Sequence, residues 1–230
     1  MNTLILTALT VIVYIICKQV FRERPFPLLH PLLFSPLVLI GLITCFHISA
    51  DQYIESSRWI SHMLAPATVA FAIPMYKHRK LLKKYMINIM ISITLGSVVA
   101  IISSLALSLL LKLKPDLIIS ILPRSITTPI AIEVSKEIGG LPALTTVFVI
   151  CTGIIGGIIG PSAITWLSIK SPIAKGLALG MGAHGVGTSK AREYGEQEAT
   201  FSTLAMIFAA MITMVWGSSL IPVLIKAING

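Results

Sequence analysis

Uninterrupted apolar runs long enough to cross a bilayer constrain this chain more than any other feature. MINIMISITLGSVVAIISSLALSLLL (86–111), LPALTTVFVICTGIIGGIIGPSAITWLS (141–168) and ATFSTLAMIFAAMITMVWGSSLIPVLIK (199–226) each exceed the roughly 18–20 residues a membrane helix needs. Shorter runs occupy 3–17, 28–48 and 62–76, the last containing Pro66 and Pro74. In lipid every backbone polar group must be satisfied internally, so helices are the expected element. The expectation is an all-α polytopic membrane protein, with about six to eight transmembrane spans, in a single integral membrane domain over 1–230. Residues 1–114 supply N-terminal spans and 115–230 the binding part. A soluble helical fold would need polar outer faces that these runs lack.

Charge sits between the runs. Only 12% of residues are charged, about half the share in a soluble domain. The net charge of +9 therefore does not point to nucleic acid. KQVFRER (18–24) and KHRKLLKK (77–84) are basic, whereas DQYIESSRWIS (51–61) is not. The positive-inside rule puts the two basic loops in the cytoplasm. The N-terminus lacks a basic region of the secretory type, so no cleaved leader is expected. Cys17, Cys45 and Cys151 each lie within an apolar run with no paired spacing, and read as small buried hydrophobes. No cofactor is expected.

Two stretches break the apolar pattern. LPRSITTPIAIEV (122–134) puts Arg124, Ser125, Thr127, Thr128, Pro129 and Glu133 into membrane sequence. A charge in mid-membrane costs at least about 2.5–3.5 kcal/mol, so such residues usually face a cavity. Pro129 would free a carbonyl by interrupting a helix. The bland alternatives are that Arg124 snorkels to the interface or pairs with Glu133. GLALGMGAHGVGTSK (176–190) carries Gly176, Gly180, Gly182, Gly185 and Gly187, then Thr188, Ser189 and Lys190, around His184. Glycine allows bare backbone to approach a ligand, and successive N–H groups form anion-binding concavities. Close helix packing through small residues is the alternative. His184 suits a proton-coupled step, or serves as an interhelical hydrogen-bond partner.

The segments near 117–134 and 176–190 either cross in broken form or re-enter. Re-entry returns Lys170 and Lys175 to the cytoplasm, which the charge rule favours. VSKEIGGLPALTTVFVI (134–150) parallels TSKAREYGEQEATFSTLAMI (188–207), an internal repeat of opposite orientation such as transporters use around a midplane site. Gly153/Gly157 and Gly156/Gly160 form two interleaved GxxxG pairs, whose partner is this chain or another. HExxH, GxSxG and phosphate-loop spacings are absent from the sequence, which reads as no enzyme.

The whole chain, and 121–206 most specifically, resembles the LrgB/CidB family of bacterial membrane proteins. The matching residues are LPRSITTPIA, where relatives carry lysine for Arg124, and GAHGVGTSKA, where Gly182 replaces a serine. The resemblance implies a multi-pass bacterial cell-membrane protein rather than a plastid one. It implies transport of a small monocarboxylate anion such as pyruvate, glycolate or glycerate. It also implies an LrgA/CidA-type small membrane partner or a homo-oligomer. The alternative it carries is an antiholin-like pore or lysis regulator controlling murein hydrolase export. Cation, hydroxyls and backbone amides suit a carboxylate with a neighbouring oxygen. The site expected here comprises Arg124, Ser125, Thr127, Thr128, Pro129, Glu133, His184, Gly185, Gly187, Thr188, Ser189 and Lys190.

Overall fold

The computed structural model describes residues 3–24, 26, 29–63, 66, 69–70 and 72–229, and among these every regular element is helical. Contacts divide the chain into two units, 1–73 and 74–230. The division at 114/115 made from sequence is one of expected role. By packing, the long helix before it belongs to the second unit.

In the first unit α1 (Thr3–Glu23) packs on α2 (Pro31–Cys45) through Val13, Cys17 and Leu39. A bend of 120° separates α2 from α3 (Ala50–Ser56), and α4 (Arg58–His62) follows. Thr7 donates to the Ser56 carbonyl at 3.0 Å, and the Thr10 and Tyr53 hydroxyls meet at 2.7 Å, so α3 folds back onto α1. The expected run 62–76 ends in α5 (Ala72–Lys77). Its residues 64, 65, 67, 68 and 71 lie outside the described ones.

The second unit holds three long apolar helices: α6 (Arg79–Leu110), α9 (Pro142–Trp166) and α11 (Glu196–Ser218). With α1 they make four helices of membrane-crossing length among the described residues, or five if the bent α2–α3 pair counts as one span. The two polar stretches do not add full crossings. The apolar run 199–226 is not one helix either, because Ser219 leaves helical geometry (φ −126°, ψ −78°) and α12 (Leu220–Asn229) starts beyond it. Of the cysteines only Cys17 is buried; Cys45 and Cys151 are exposed, as lipid-facing apolar residues can be.

Both polar stretches are re-entrant hairpins. In the first, α7 (Pro115–Ile121) and α8 (Thr128–Glu137) flank the link 122–127. Thr145 at the start of α9 donates to the Ser120 carbonyl at 2.9 Å, and its oxygen lies 2.7 Å from Ser135 Oγ, fastening both limbs to one span. In the second, α10 (Pro172–Tyr194) breaks at His184 (φ 36°, ψ −114°). Lys175 and Tyr194 would lie about 28 Å apart in one straight helix. Here the Lys175 ammonium sits 5.2 Å from the Tyr194 ring centroid, so the limbs run side by side.

The hairpins open on opposite faces. Lys77 and His78, just before α6, meet Glu196 at the start of α11, and the Lys175–Tyr194 pair lies at that end. Further along, Trp216 donates to Ser97 Oγ at 2.9 Å, so α6 and α11 run parallel. Gly160 lies against Leu179 and Gly156 against Gly182, so α9 runs antiparallel to the first limb of α10. The first hairpin instead opens near the far end of α11, where Val134 packs on Gly217. Its tip reaches the main core, in which Ile126 and Ala131 pack with Ile93, Val149 and Phe201.

Candidate functional site

Arg124 stands at the tip of the first hairpin, in the non-helical link between α7 and α8. Its side chain is partly buried and crosses to two other helices. Nε donates to Ser104 Oγ of α6 at 2.9 Å, and Nη1 to Thr152 Oγ1 of α9 at 3.3 Å. Among the described residues no carboxylate pairs with it. A guanidinium has five N–H donors. The two hydroxyls engage two of them, and none of the others is a buried orphan.

Arg124 lines two cavities at once. One, of about 270 Å³, lies between α6, the link, α10 and α11, and carries the hydroxyls of Ser97, Ser125 and Thr213 among apolar residues. The other, of about 400 Å³, lies between α9 and the first limb of α10. Apart from Arg124 and Thr152 its walls are aliphatic or glycine, including Ile155, Ile159, Ala163, Leu167 and Ala178. Gly182 lines both, and a Cβ there would meet nothing within 4 Å. The tips of the two hairpins therefore meet at these cavities.

In the second hairpin the buried side chains of His184 and Thr188 find partners within the protein. His184 is buried, with Nε2 3.1 Å from the Val149 carbonyl. A carbonyl can only accept, so Nε2 carries a proton and donates it. Thr188 Oγ1 donates to the His184 carbonyl at 3.0 Å and lies 3.0 Å from Ser202 Oγ. The positive φ of His184 lies in a region that non-glycine residues rarely occupy. The hydroxyl bracing beside it helps hold the chain there.

The residues named from sequence divide accordingly. Arg124 and Ser125 reach the cavities. Thr127 caps α8 with extended backbone and makes no side-chain cap bond. Thr127 and Thr128 are half-buried, and neither lines a described cavity. Pro129 does not interrupt a helix: it sits in the first turn of α8, where its missing N–H has no partner to lose. Glu133 is exposed and pairs with Lys136 at 2.8 Å, not with Arg124. Lys190 pairs with Glu193 at 2.9 Å, and Ser189 is exposed on the same limb.

Most of the glycines are packing positions. A Cβ on Gly187 would overlap the Leu179 carbonyl, and one on Gly180 the Ser202 carbonyl. Gly176 lies against Glu198 and Phe201. Gly185 has open space around it but lines neither cavity. The GxxxG pairs of α9 receive the second hairpin of the same chain: Gly153 meets His184 and Gly157 meets Val186. Ser97, Ser104, Thr152 and Thr213 are contributors that sequence reasoning missed. The signal for two of them was present, since Ser97 and Ser104 are seven apart and so share one face of an apolar helix.

The LrgB-like family profile matches residues 10–224. The uncharacterized protein YwbG of Bacillus subtilis is 46% identical over 206 residues, covering 90% of this chain and 92% of that protein. YxaC of the same organism is 36% identical over 214 residues, with 93% of each chain covered. The holin-like protein CidB of Staphylococcus aureus is 37% identical over 227 residues, covering 97% of this chain and 96% of the relative. No solved structure matches.

Proposed function

The chain belongs to the LrgB-like family, and on that premise we propose that this multi-pass bacterial membrane protein carries small monocarboxylates of the 2-hydroxy or 2-keto acid type, such as pyruvate, glycolate or glycerate. One observation carries the reading. Arg124 is a half-buried cation with no carboxylate partner among the described residues, held by two neutral hydroxyls at the junction of two cavities. A carboxylate accepts two parallel N–H bonds from a guanidinium, and such charge-assisted bonds are stronger than neutral ones. In the smaller cavity Ser125 and Thr213 supply hydroxyls for the substrate's second oxygen.

Hairpins that enter from opposite faces and meet at one cation support alternating access by an inverted repeat, in which one hairpin yields while the other stays closed. An LrgA/CidA-type small membrane protein, or a second copy of this chain, is the partner we assign. The experiment is uptake of labelled pyruvate and glycolate into proteoliposomes, with and without that partner. Saturable uptake, competed by other small monocarboxylates and lost in Arg124→Gln, is the expected result.

A second reading is favoured by the staphylococcal relatives, which are holin-like proteins. It makes this chain an antiholin-like pore or lysis regulator acting on murein hydrolase export. Linear, unselective flux that survives Arg124→Gln would establish that reading and overturn the carrier.

A further inference from the structure

The second cavity has a shape and chemistry that a pyruvate-sized anion does not use. One cation, Arg124, and one hydroxyl, Thr152, stand at one place in its lining, and the rest is aliphatic or glycine. At about 400 Å³ it is larger than the polar cavity. Ile155, Ile159 and Leu167 in its lining are each more than half exposed, at the side of a helix apolar enough to cross a membrane. A site of this kind matches a molecule with an anionic head and an apolar tail.

We infer that this cavity is a binding site for apolar-tailed monocarboxylates, short and medium-chain fatty acids in chemical class, whose head takes the guanidinium of Arg124 from the α9 side. The inference rests on Arg124 being the carboxylate anchor of the carrier reading, and it adds a second ligand class to that anchor. Charge complementarity chooses the occupant. A phospholipid acyl chain could fill the aliphatic groove but offers no anion to a guanidinium lying among hydrocarbon. A free carboxylate does, and burying its tail adds stabilisation with each methylene. Nη1, which donates to Thr152 on this side, has a second proton to offer. Since one guanidinium lines both cavities, the two ligand classes exclude each other.

The test uses the full chain in lipid nanodiscs, with labelled octanoate and labelled pyruvate as probes. Ala178 lines only the aliphatic cavity and is exposed, so Ala178→Phe fills that space without displacing a packed neighbour. Thr213 lines only the polar cavity. Saturable octanoate binding is expected, displaced by pyruvate and lost in Arg124→Gln. Ala178→Phe should weaken octanoate by about tenfold or more and leave pyruvate unchanged, and Thr213→Val should do the reverse. Octanoate retention that is equal in Arg124→Gln is partition into lipid and overturns the site. Pyruvate binding without octanoate binding overturns this inference and leaves the carrier reading intact. Octanoate binding that needs Arg124, without pyruvate binding, upholds the site and overturns the small-acid reading. Binding of neither overturns both.

Discussion

The two hairpins reach the same cavities by different means. The first is two short helices around a six-residue link, and its tip presents a cation whose partners are hydroxyls on other helices. The second is close-packed through glycine, and its tip residue, His184, is bonded to the backbone of α9. One tip keeps donors open to a cavity, while the other ties its imidazole Nε2 to the Val149 carbonyl. A charge inside a membrane protein points to function when its neighbours leave it unsatisfied. A buried histidine bonded to a neighbouring span gives that span a fixed contact.

The largest expected effect is at the first tip. Arg124→Gln should reduce pyruvate uptake by about 30-fold or more, since losing one partner of a desolvated charge pair costs roughly 2–5 kcal/mol. Arg124→Lys should keep a substantial part, because a point charge still attracts an anion although the fork is lost. At the second tip, His184→Gln should lower thermal stability and leave the KM of the folded fraction unchanged. If that variant folds well yet loses uptake, the contrast between the tips breaks.

Next comes Gly187→Val, which places a side chain where the Leu179 carbonyl already stands. Overpacking of this kind costs about 1–3 kcal/mol and often more against backbone. Little monodisperse protein should be recovered by size-exclusion chromatography. Thr145→Val tests the fastening of the first hairpin. Its hydroxyl serves both Ser120 and Ser135, and stranding such buried groups costs about 1–3 kcal/mol. The melting temperature should fall while the substrate KM stays within about twofold, a shift under 0.5 kcal/mol.

The smallest effects separate two glycines that the sequence makes look alike. Gly182→Ala should fold normally, since nothing lies within 4 Å of the new methyl, yet raise KM because that methyl enters both cavities. Gly185→Ala meets nothing and lines neither cavity, so uptake and stability should stay within about 0.5 kcal/mol of the parent. A KM effect at Gly185 equal to that at Gly182 would remove the distinction.

Much of this was legible in the chain. Hydropathy marked α6, α9 and most of α11, because lipid leaves helices as the available element. The charge of Lys170 and Lys175 favoured re-entry over crossing, and Lys175 does lie with Lys77 and Glu196 at one end of the unit. Arg124 stood out because a charge in apolar sequence is costly. Pro129 was misread as a helix breaker because the same residue suits a first turn, and only the position of the helix start separates the two. Glu133 and Lys190 looked like site residues by proximity in sequence, but each has a cation or carboxylate three residues away on its own helix face.

By itself, then, the sequence determined the helical membrane class, the two interruptions and the one charge at which a site could form. These follow from local composition and from the cost of placing polar groups in lipid. The tertiary structure alone decided which glycines are filled by a neighbour and which are open, and which hydroxyls hold the guanidinium. Ser104 and Thr152 lie 20 and 28 residues from Arg124. Such contacts depend on how hairpins and spans pack, because a side chain's neighbours across a helix bundle are set by the direction and depth of each helix.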